Sequence, residues 1–191
     1  PSRGLGDVYK RQMLVPQTSY QPLVKLENIN YYNDDFVWNY VSQPLGNYIA
    51  DCKLGDHKIQ KLCAAWDSAT GLKGRDNSVL SVCAKDDQNN VFVHDVKVLS
   101  AVDDDRNFET QCAEIIATCA KHKISHVYVE ENFSSALANE LRRTARKLKL
   151  AINVVPHFRN QNKLHFIAHT LEPIIKVGRL YVHKRVAETT P

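Results

Sequence analysis

The sequence predicts an α/β fold in which a mixed sheet begins as an antiparallel meander, continues through βαβ crossovers and is flanked by helices. Two observations predict it. Three apolar runs of strand character follow one another at short spacing between residues 62 and 98, separated by turn residues. From residue 108 onward, helical periodicity alternates with short apolar runs, which is typical of strands joined by crossover helices.

The meander accounts for the first three strands. The apolar run at 62–66 is followed by a glycine-containing stretch, which predicts a strand and then a loop. The runs at 79–84 and 91–98 are rich in valine, and an Asp- and Asn-rich turn separates them. Short turns between strands of this kind connect antiparallel neighbours.

The crossover half begins with a helix. Its apolar residues share one face, with polar residues between them, and basic residues follow at its end, where they suit the helix dipole. The later elements alternate in type. They are a strand at 124–129, a helix capped by Ser134, a strand at 151–155 ended by Pro156, a helix at 164–175 stopped by Gly178, and a strand at 180–182.

Length and composition fit one globular domain. The chain has 191 residues, of which 43% are hydrophobic, enough for a sizeable core. No apolar run approaches the roughly 18 residues of a membrane span, and no apolar leader opens the chain. The five cysteines contain no CxxC pair, so we expect reduced, mostly buried thiols.

The chain divides into three parts. Residues 1–12 resemble a translated sequencing adapter and are set aside as an artefact. They carry three cationic side chains and one acidic one, so they supply half of the net charge of +4. Residues 13–58 lack a clean period and are expected to be a lead-in from a preceding domain. Residues 59–191 are then expected to form the folded domain, incomplete at its C-terminus.

Two acidic residues stand at predicted strand ends. Asp67 closes the first strand and Glu130 the fourth. If these strands are neighbours, both carboxylates lie at one edge of the sheet, where open α/β sheets bind ligands. Close carboxylates repel unless they share a proton or a cation. Mg²⁺ or Mn²⁺, which prefer oxygen ligands, would resolve the repulsion, although strand-end acids also serve as turn and cap residues.

Three ordered blocks of sequence carry a family resemblance. The first is AWDSA with glycines and Asp76 following, the second is VYVEENF at 127–133, and the third is NK at 162–163 with TLEPII and GRLYV after it. Together they resemble the nuclease domain of the large terminase subunits of tailed phages. The resemblance implies an RNase H-like fold with a mixed sheet of the five-stranded type. It also implies metal-dependent cleavage of double-stranded DNA during viral genome packaging.

The resemblance also implies roles for individual residues. The family's first catalytic Asp corresponds to Asp67 and its catalytic Glu to Glu130, and both would bind Mg²⁺ or Mn²⁺ in a two-ion site. Asp76 is a further candidate metal ligand, or else a turn cap. The basic side chains bordering the predicted site are candidate DNA contacts: Lys73, Arg75, Arg159 and Lys163.

Departures from the family pattern limit these expectations. The family's third metal-binding Asp has no counterpart before Pro191, so the two-ion nuclease is expected to be complete in a full-length parent and inactive in this fragment. No GxxxxGK[ST] motif occurs, so no ATP site is expected. In the parent the resemblance implies portal and small terminase subunit partners, action in the host cytoplasm and no membrane association.

Alternative readings remain open. A transposase or junction resolvase uses similar strand-end acids, and a non-catalytic DNA- or partner-binding module could keep the same fold. His165 and His169 have a metal-ligand spacing on a predicted helix, but no third ligand is evident. The basic stretch at 142–149 suits either phosphate contacts or a solvated helix face, and the second is preferred.

Overall fold

The computed structural model describes residues 26–68, 77–100, 107–130, 136–158 and 163–188. A short 3₁₀-helix, Leu26–Asn28, opens this part of the chain. The strands are β1 Ile29–Tyr32, β2 Phe36–Gln43, β3 Gly46–Leu54, β4 His57–Asp67, β5 Val79–Asp86, β6 Val91–Val98, β7 His126–Glu130, β8 Asn153–His157 and β9 Leu180–His183. The helices are α1 Asn107–His122, α2 Ala136–Lys147, α3 Lys163–Lys176 and α4 Lys184–Glu188.

All the described strands join one mixed sheet. β4, β5 and β6 form the antiparallel meander, and β7 and β8 extend it in parallel beyond β4. β9 pairs in parallel with the outer side of β6, and β1 pairs in parallel with β9. The predicted α/β fold class, a meander followed by βαβ crossovers, is confirmed. None of the described helices is long and apolar enough to cross a membrane.

One predicted strand end differs from the structure. We expected Pro156 to end the strand at 151–155, but β8 runs on to His157. Within the described sheet β8 pairs with β7 alone, so it is an edge strand there. An edge strand tolerates proline, because the missing backbone N–H need not serve a ladder.

Residues 29–54, expected to be a lead-in, contain three strands of the same sheet. β2 and β3 form an antiparallel hairpin with a register shift between Asn39 and Tyr40, and β3 turns directly into β4. Most hairpin residues are exposed on both faces. Beyond the stretch that includes Cys52 and Leu54, the hairpin buries neither face, so most of its sequence lacks the inside–outside alternation that identified the other strands.

The core lies between the helices and one face of the sheet, which we call the back face. Alternate residues of β4, β5 and β7 point into it, among them Ala64, Trp66, Leu80, Val82, Val127 and Val129. α1 contributes Cys112, Ile115, Ile116 and Cys119, and α2 contributes Ala138, Leu141 and Ala145. The opposite face of β4 and β7, which we call the front face, carries Ala65, Asp67, Tyr128 and Glu130.

All five cysteines are free thiols, as the sequence predicted. Cys112 and Cys119 are fully buried on the core face of α1. Burial raises the pKa of each of these two thiols to about 12. They therefore act as small apolar side chains and not as nucleophiles.

Three described helices end in a left-handed residue. Gly178 follows α3 with φ of 65°, as predicted for the glycine that stops this helix. Lys123 follows α1 with φ of 52°, and Lys149 follows α2 with φ of 56°. A non-glycine residue in this region costs about 1–2 kcal/mol, so both lysines occupy positions that favour glycine.

A buried aspartate organises the turn between β5 and β6. Asp86 is 1% exposed. It accepts hydrogen bonds from the backbone and side-chain amides of Asn90 at 2.8 and 2.7 Å, from the Gln88 amide at 2.9 Å and from His57 Nδ1 at 2.8 Å. Burial acts to raise the pKa of Asp86, but these donors outweigh it and hold the pKa below its usual value.

We predict that Asp86→Ala lowers the free energy of unfolding by about 3 kcal/mol, because it leaves buried donors unpaired. Urea denaturation monitored by circular dichroism measures this loss. Asp87→Ala is the matched control, because Asp87 is the next residue and its side chain is exposed. Equal stability of the two variants would contradict the role given to Asp86.

A buried histidine joins β6 to β1 and to α4. His94 is fully buried. Its Nε2 lies 2.7 Å from Arg185 Nη2, and its Nδ1 lies 3.1 Å from the Tyr32 hydroxyl. A guanidinium can only donate, so Nε2 must be unprotonated and the neutral Nδ1–H tautomer is the one that fits. Arg185 also pairs with Asp35 at 2.8 Å.

The surroundings of His94 oppose its protonation. Burial, then the nearby charges of Arg185, His122 and His183, lower its pKa to about 3, against a smaller opposing effect of Asp35. The unfolded chain takes up this proton near pH 6.5. Between these values the unfolded state binds more protons, so stability falls as pH falls.

We predict that His94 makes the protein lose up to about 1.4 kcal/mol of stability per pH unit as the pH falls below about 6.5. His94→Gln should flatten this acid limb, measured as unfolding free energy against pH between 7 and 4.5. His126→Gln, at an exposed histidine, serves as the control. An unchanged slope in the His94 variant would refute the assignment.

Candidate functional site

The pairing of β4 with β7 brings the two predicted acids together. These strands run parallel with Ala64 opposite Val127, Ala65 opposite Tyr128 and Trp66 opposite Val129. One further step along both strands reaches Asp67 and Glu130, the last residue of each. The two carboxylates therefore stand side by side at the carboxyl edge of the sheet, where the sequence predicted them.

Strand alternation decides which face carries these carboxylates. Trp66 and Val129 point to the back face, and both are nearly fully buried. Asp67 and Glu130 therefore point to the front face. Asp67 is exposed and Glu130 is half-buried. Glu131, the neighbouring acid, lies outside the described residues.

A cavity of about 620 Å³ opens over this edge. Asp67 and Glu130 both line it. The other lining residues come from four adjacent strands and are Ala65, Trp66, Val79, Ser81, Tyr128 and His157. The Ser68 hydroxyl donates to the Glu130 carbonyl oxygen at 3.3 Å and so ties the end of β4 to the end of β7.

His157 is a site residue that the sequence reasoning missed. It ends β8 directly opposite Glu130 in the parallel register. Its imidazole therefore joins the two carboxylates at the same edge, and it lines the same cavity. The rule that placed Asp67 and Glu130, a polar residue at the carboxyl end of a parallel strand, would have found His157 had Pro156 not been taken as the strand end.

The donors at this edge fit a hard divalent cation. Two carboxylates on neighbouring strand ends offer oxygen ligands and negative charge, which Mg²⁺ and Mn²⁺ prefer. Within the described ranges no group of three or more His, Cys, Asp or Glu side chains could hold a metal ion. The described part of the site thus supplies two acidic ligands, and Asp76, the third candidate, lies outside it.

The other predicted contacts are mostly outside the described residues. Lys73, Arg75 and Arg159 fall in the gaps of the structure. Lys163 opens α3, and its side chain is not described, nor is that of His165. His169 is an exposed residue of the same helix.

The basic stretch of α2 is occupied by contacts within the protein. Arg143 pairs with Glu140 at 2.8 Å, and Lys147 lies 3.6 Å from Glu109 of α1. Arg142 donates to the Val154 carbonyl at 2.8 Å. These partners favour the reading of a solvated helix face over that of a phosphate-binding surface.

A family model matches the part of the chain that runs from the end of β4 to the start of β9. The model described as Terminase Bacteriophage T7, Ribonuclease H-like domain, matches residues 67–180, more than half of the chain. Asp67 and Glu130 both lie in the matched range. A comparison with curated proteins gives no match.

Three solved structures resemble the chain. The fowlpox virus Holliday junction resolvase is 12% identical with a TM-score of 0.42, covering 63% of this chain and 78% of its own. The yeast mitochondrial Holliday junction resolvase is 10% identical with a TM-score of 0.41, covering 63% and 64%. The HK97 bacteriophage large terminase is 15% identical with a TM-score of 0.43, covering 65% of this chain and 30% of its own.

We predict that Mn²⁺ stabilises the chain through Glu130. At about ten times the dissociation constant, a bound ion adds about 1.4 kcal/mol, or roughly 3–6 °C in melting temperature. Glu130→Gln should abolish this shift without lowering the melting temperature in metal-free buffer, because it removes one of two adjacent like charges. Asp87→Asn is the control. A full Mn²⁺ shift in the Glu130 variant would contradict the proposed ligand.

Proposed function

We propose that this chain, which belongs to the family of the bacteriophage T7 terminase ribonuclease H-like domain, is the metal-dependent endonuclease domain of a viral DNA-packaging terminase. The observation that carries the proposal is the placement of Asp67 and Glu130. They end adjacent parallel strands, share one face and line one cavity, and both residues lie inside the matched range.

The two carboxylates are proposed to hold Mg²⁺ or Mn²⁺. When bound, a pair of such ions supplies activation of a water molecule and stabilisation of the leaving oxygen in phosphodiester hydrolysis. Asp76 is proposed as a further ligand. The family match supports nuclease activity for this domain. The two-ion mechanism is part of the proposal.

The residues of the chain position the two carboxylates and line the cavity through which a substrate reaches them. β4 and β7 are held on their buried back face by α1 and α2, so the carboxylates project from a rigid base. The Ser68 hydrogen bond fixes the chain just beyond Asp67 against Glu130. His157 offers an imidazole N–H to a phosphate oxygen in the same cavity.

The proposal extends to the substrate and the setting. We propose that the substrate is concatemeric double-stranded DNA, cleaved during packaging in the host cytoplasm. Portal and small terminase subunit are the proposed partners of the full protein. Lys73, Arg75, Arg159 and Lys163 remain the proposed contacts to DNA backbone near the site.

We predict that Asp67→Asn reduces Mn²⁺-dependent cleavage of plasmid DNA by at least about a hundredfold, because it removes a metal ligand. The assay uses the longest form of the protein that contains this chain, and agarose electrophoresis measures nicked and linear products. Asp56→Asn, in the exposed turn between β3 and β4, is the control. Cleavage retained in the Asp67 variant would contradict the assignment of Asp67 as a metal ligand of the nuclease.

A further inference from the structure

A second cleft lies where the sheet forks. β4 has two partners on one edge: β3 pairs with residues 57–59, and β7 pairs with residues 64–66. Between these stretches, residues 60–63 have no strand partner on that edge within the described ranges. The β2–β3 hairpin diverges there and leaves a cleft of about 610 Å³. Its lining includes Trp38, Ile49, Asp51, Lys61, Lys123 and His126.

One lysine is held in this cleft by aromatic rings. Lys123 Nζ lies 5.1 Å from the centroid of the Trp38 ring and 4.6 Å from that of Tyr40. It also donates a hydrogen bond to the Tyr40 hydroxyl. Cation–π contacts of this kind fix the position of an ammonium group while leaving its charge intact.

The backbone adds a second observation. Lys123 sits at the left-handed end of α1, a position that favours glycine. The side chain at this position reaches the hairpin, where a glycine would offer no cation. Lys149 occupies the corresponding position after α2 and lines neither of the two cavities described above.

The charge of the cleft suits a polyanion. Lys61 and Lys123 bring two ammonium groups to it, and His126 adds an imidazole. Asp51 is the acidic residue of the lining, and its carboxylate accepts a hydrogen bond from the Asn39 amide. The cleft thus combines one lysine held by aromatic rings, a second lysine and exposed aromatic surface, a combination typical of nucleic-acid contacts.

The cleft is continuous with the candidate site. Tyr128, which is 43% exposed, lines both cavities. His126, Tyr128 and Glu130 alternate along the front face of β7. The four residue steps from His126 to Glu130 span about 13 Å, comparable to the ~12 Å width of a DNA major groove.

We propose that this cleft is a phosphate-binding subsite for DNA whose scissile phosphate lies at Asp67 and Glu130. Lys123, held by Trp38 and Tyr40, contacts one backbone phosphate. Lys61 of β4, which lines the same cleft, contacts a second one. The duplex crosses Tyr128 between the two cavities. The inference rests on the proposed function, because the nuclease hypothesis identifies DNA as the ligand.

The test compares two matched variants of the full chain, Lys123→Gln and Lys149→Gln. Each removes one charge from the left-handed end of a helix. Binding of a fluorescent 20-base-pair duplex is measured by anisotropy between 0.05 and 0.3 M salt without divalent metal. One phosphate contact changes the log–log salt slope by about 0.9, or about eightfold in affinity per tenfold change in salt.

We expect Lys123→Gln to weaken binding about fivefold to tenfold near 0.1 M salt and to reduce the salt slope by about 0.9. Lys149→Gln should bind within about twofold of the unsubstituted chain. Lys123→Gly provides a check on folding. It should weaken binding as Lys123→Gln does without lowering the melting temperature, because glycine suits the left-handed backbone.

Each outcome decides the proposal. The proposal is overturned if the two glutamine variants have equal affinity and equal salt slope, or if the unsubstituted chain does not bind DNA. In either case the cleft would instead be a contact surface for a protein partner or a second copy of the chain. A selective Lys123 defect supports it. If that defect appears while the longest form of the protein that contains this chain shows no Mn²⁺-dependent cleavage, the nuclease assignment fails and the cleft stands as the DNA site of a binding module.

Discussion

The structure depends on the parallel pairing of β7 with the second half of β4. This ladder aligns Trp66 with Val129 in the core and carries Asp67 and Glu130 to one edge on the opposite face. Period-two alternation links the two outcomes, since the residues that bury the sheet against α1 and α2 fix the phase of the carboxylates. A register slip of one residue would turn an acid into the apolar core. Burying an unpaired carboxylate there would carry a large desolvation penalty.

The same strand edge also produces the fork. β4 is eleven residues long, and its edge is shared between β3 near its start and β7 near its end. Two strands cannot occupy one edge at the same height, so the hairpin must leave the sheet where β7 arrives. The divergence exposes apolar residues of the hairpin such as Val37, Val41 and Leu45. It also creates the cleft into which Lys123 projects.

Buried polar groups mark where the meander and the outer strands are joined. Asp86 ties the β5–β6 turn to His57 of β4, and His94 ties β6 to Tyr32 and to Arg185. Each is satisfied by several donors or acceptors, as burial requires. Neither was singled out from the sequence, because a polar residue within an apolar strand gives no local sign of its distant partners.

The sequence by itself determined the meander, the crossovers, the helical faces and the positions of Asp67 and Glu130 at strand ends, because these follow from local periodicity and from residues next to each other in the chain. Only the tertiary structure decided that residues 29–54 form strands, that β8 carries His157 to the site, and that Lys123 meets Trp38 and Tyr40. Those features depend on contacts between distant segments, and an exposed hairpin or an edge proline leaves no periodic trace in the sequence.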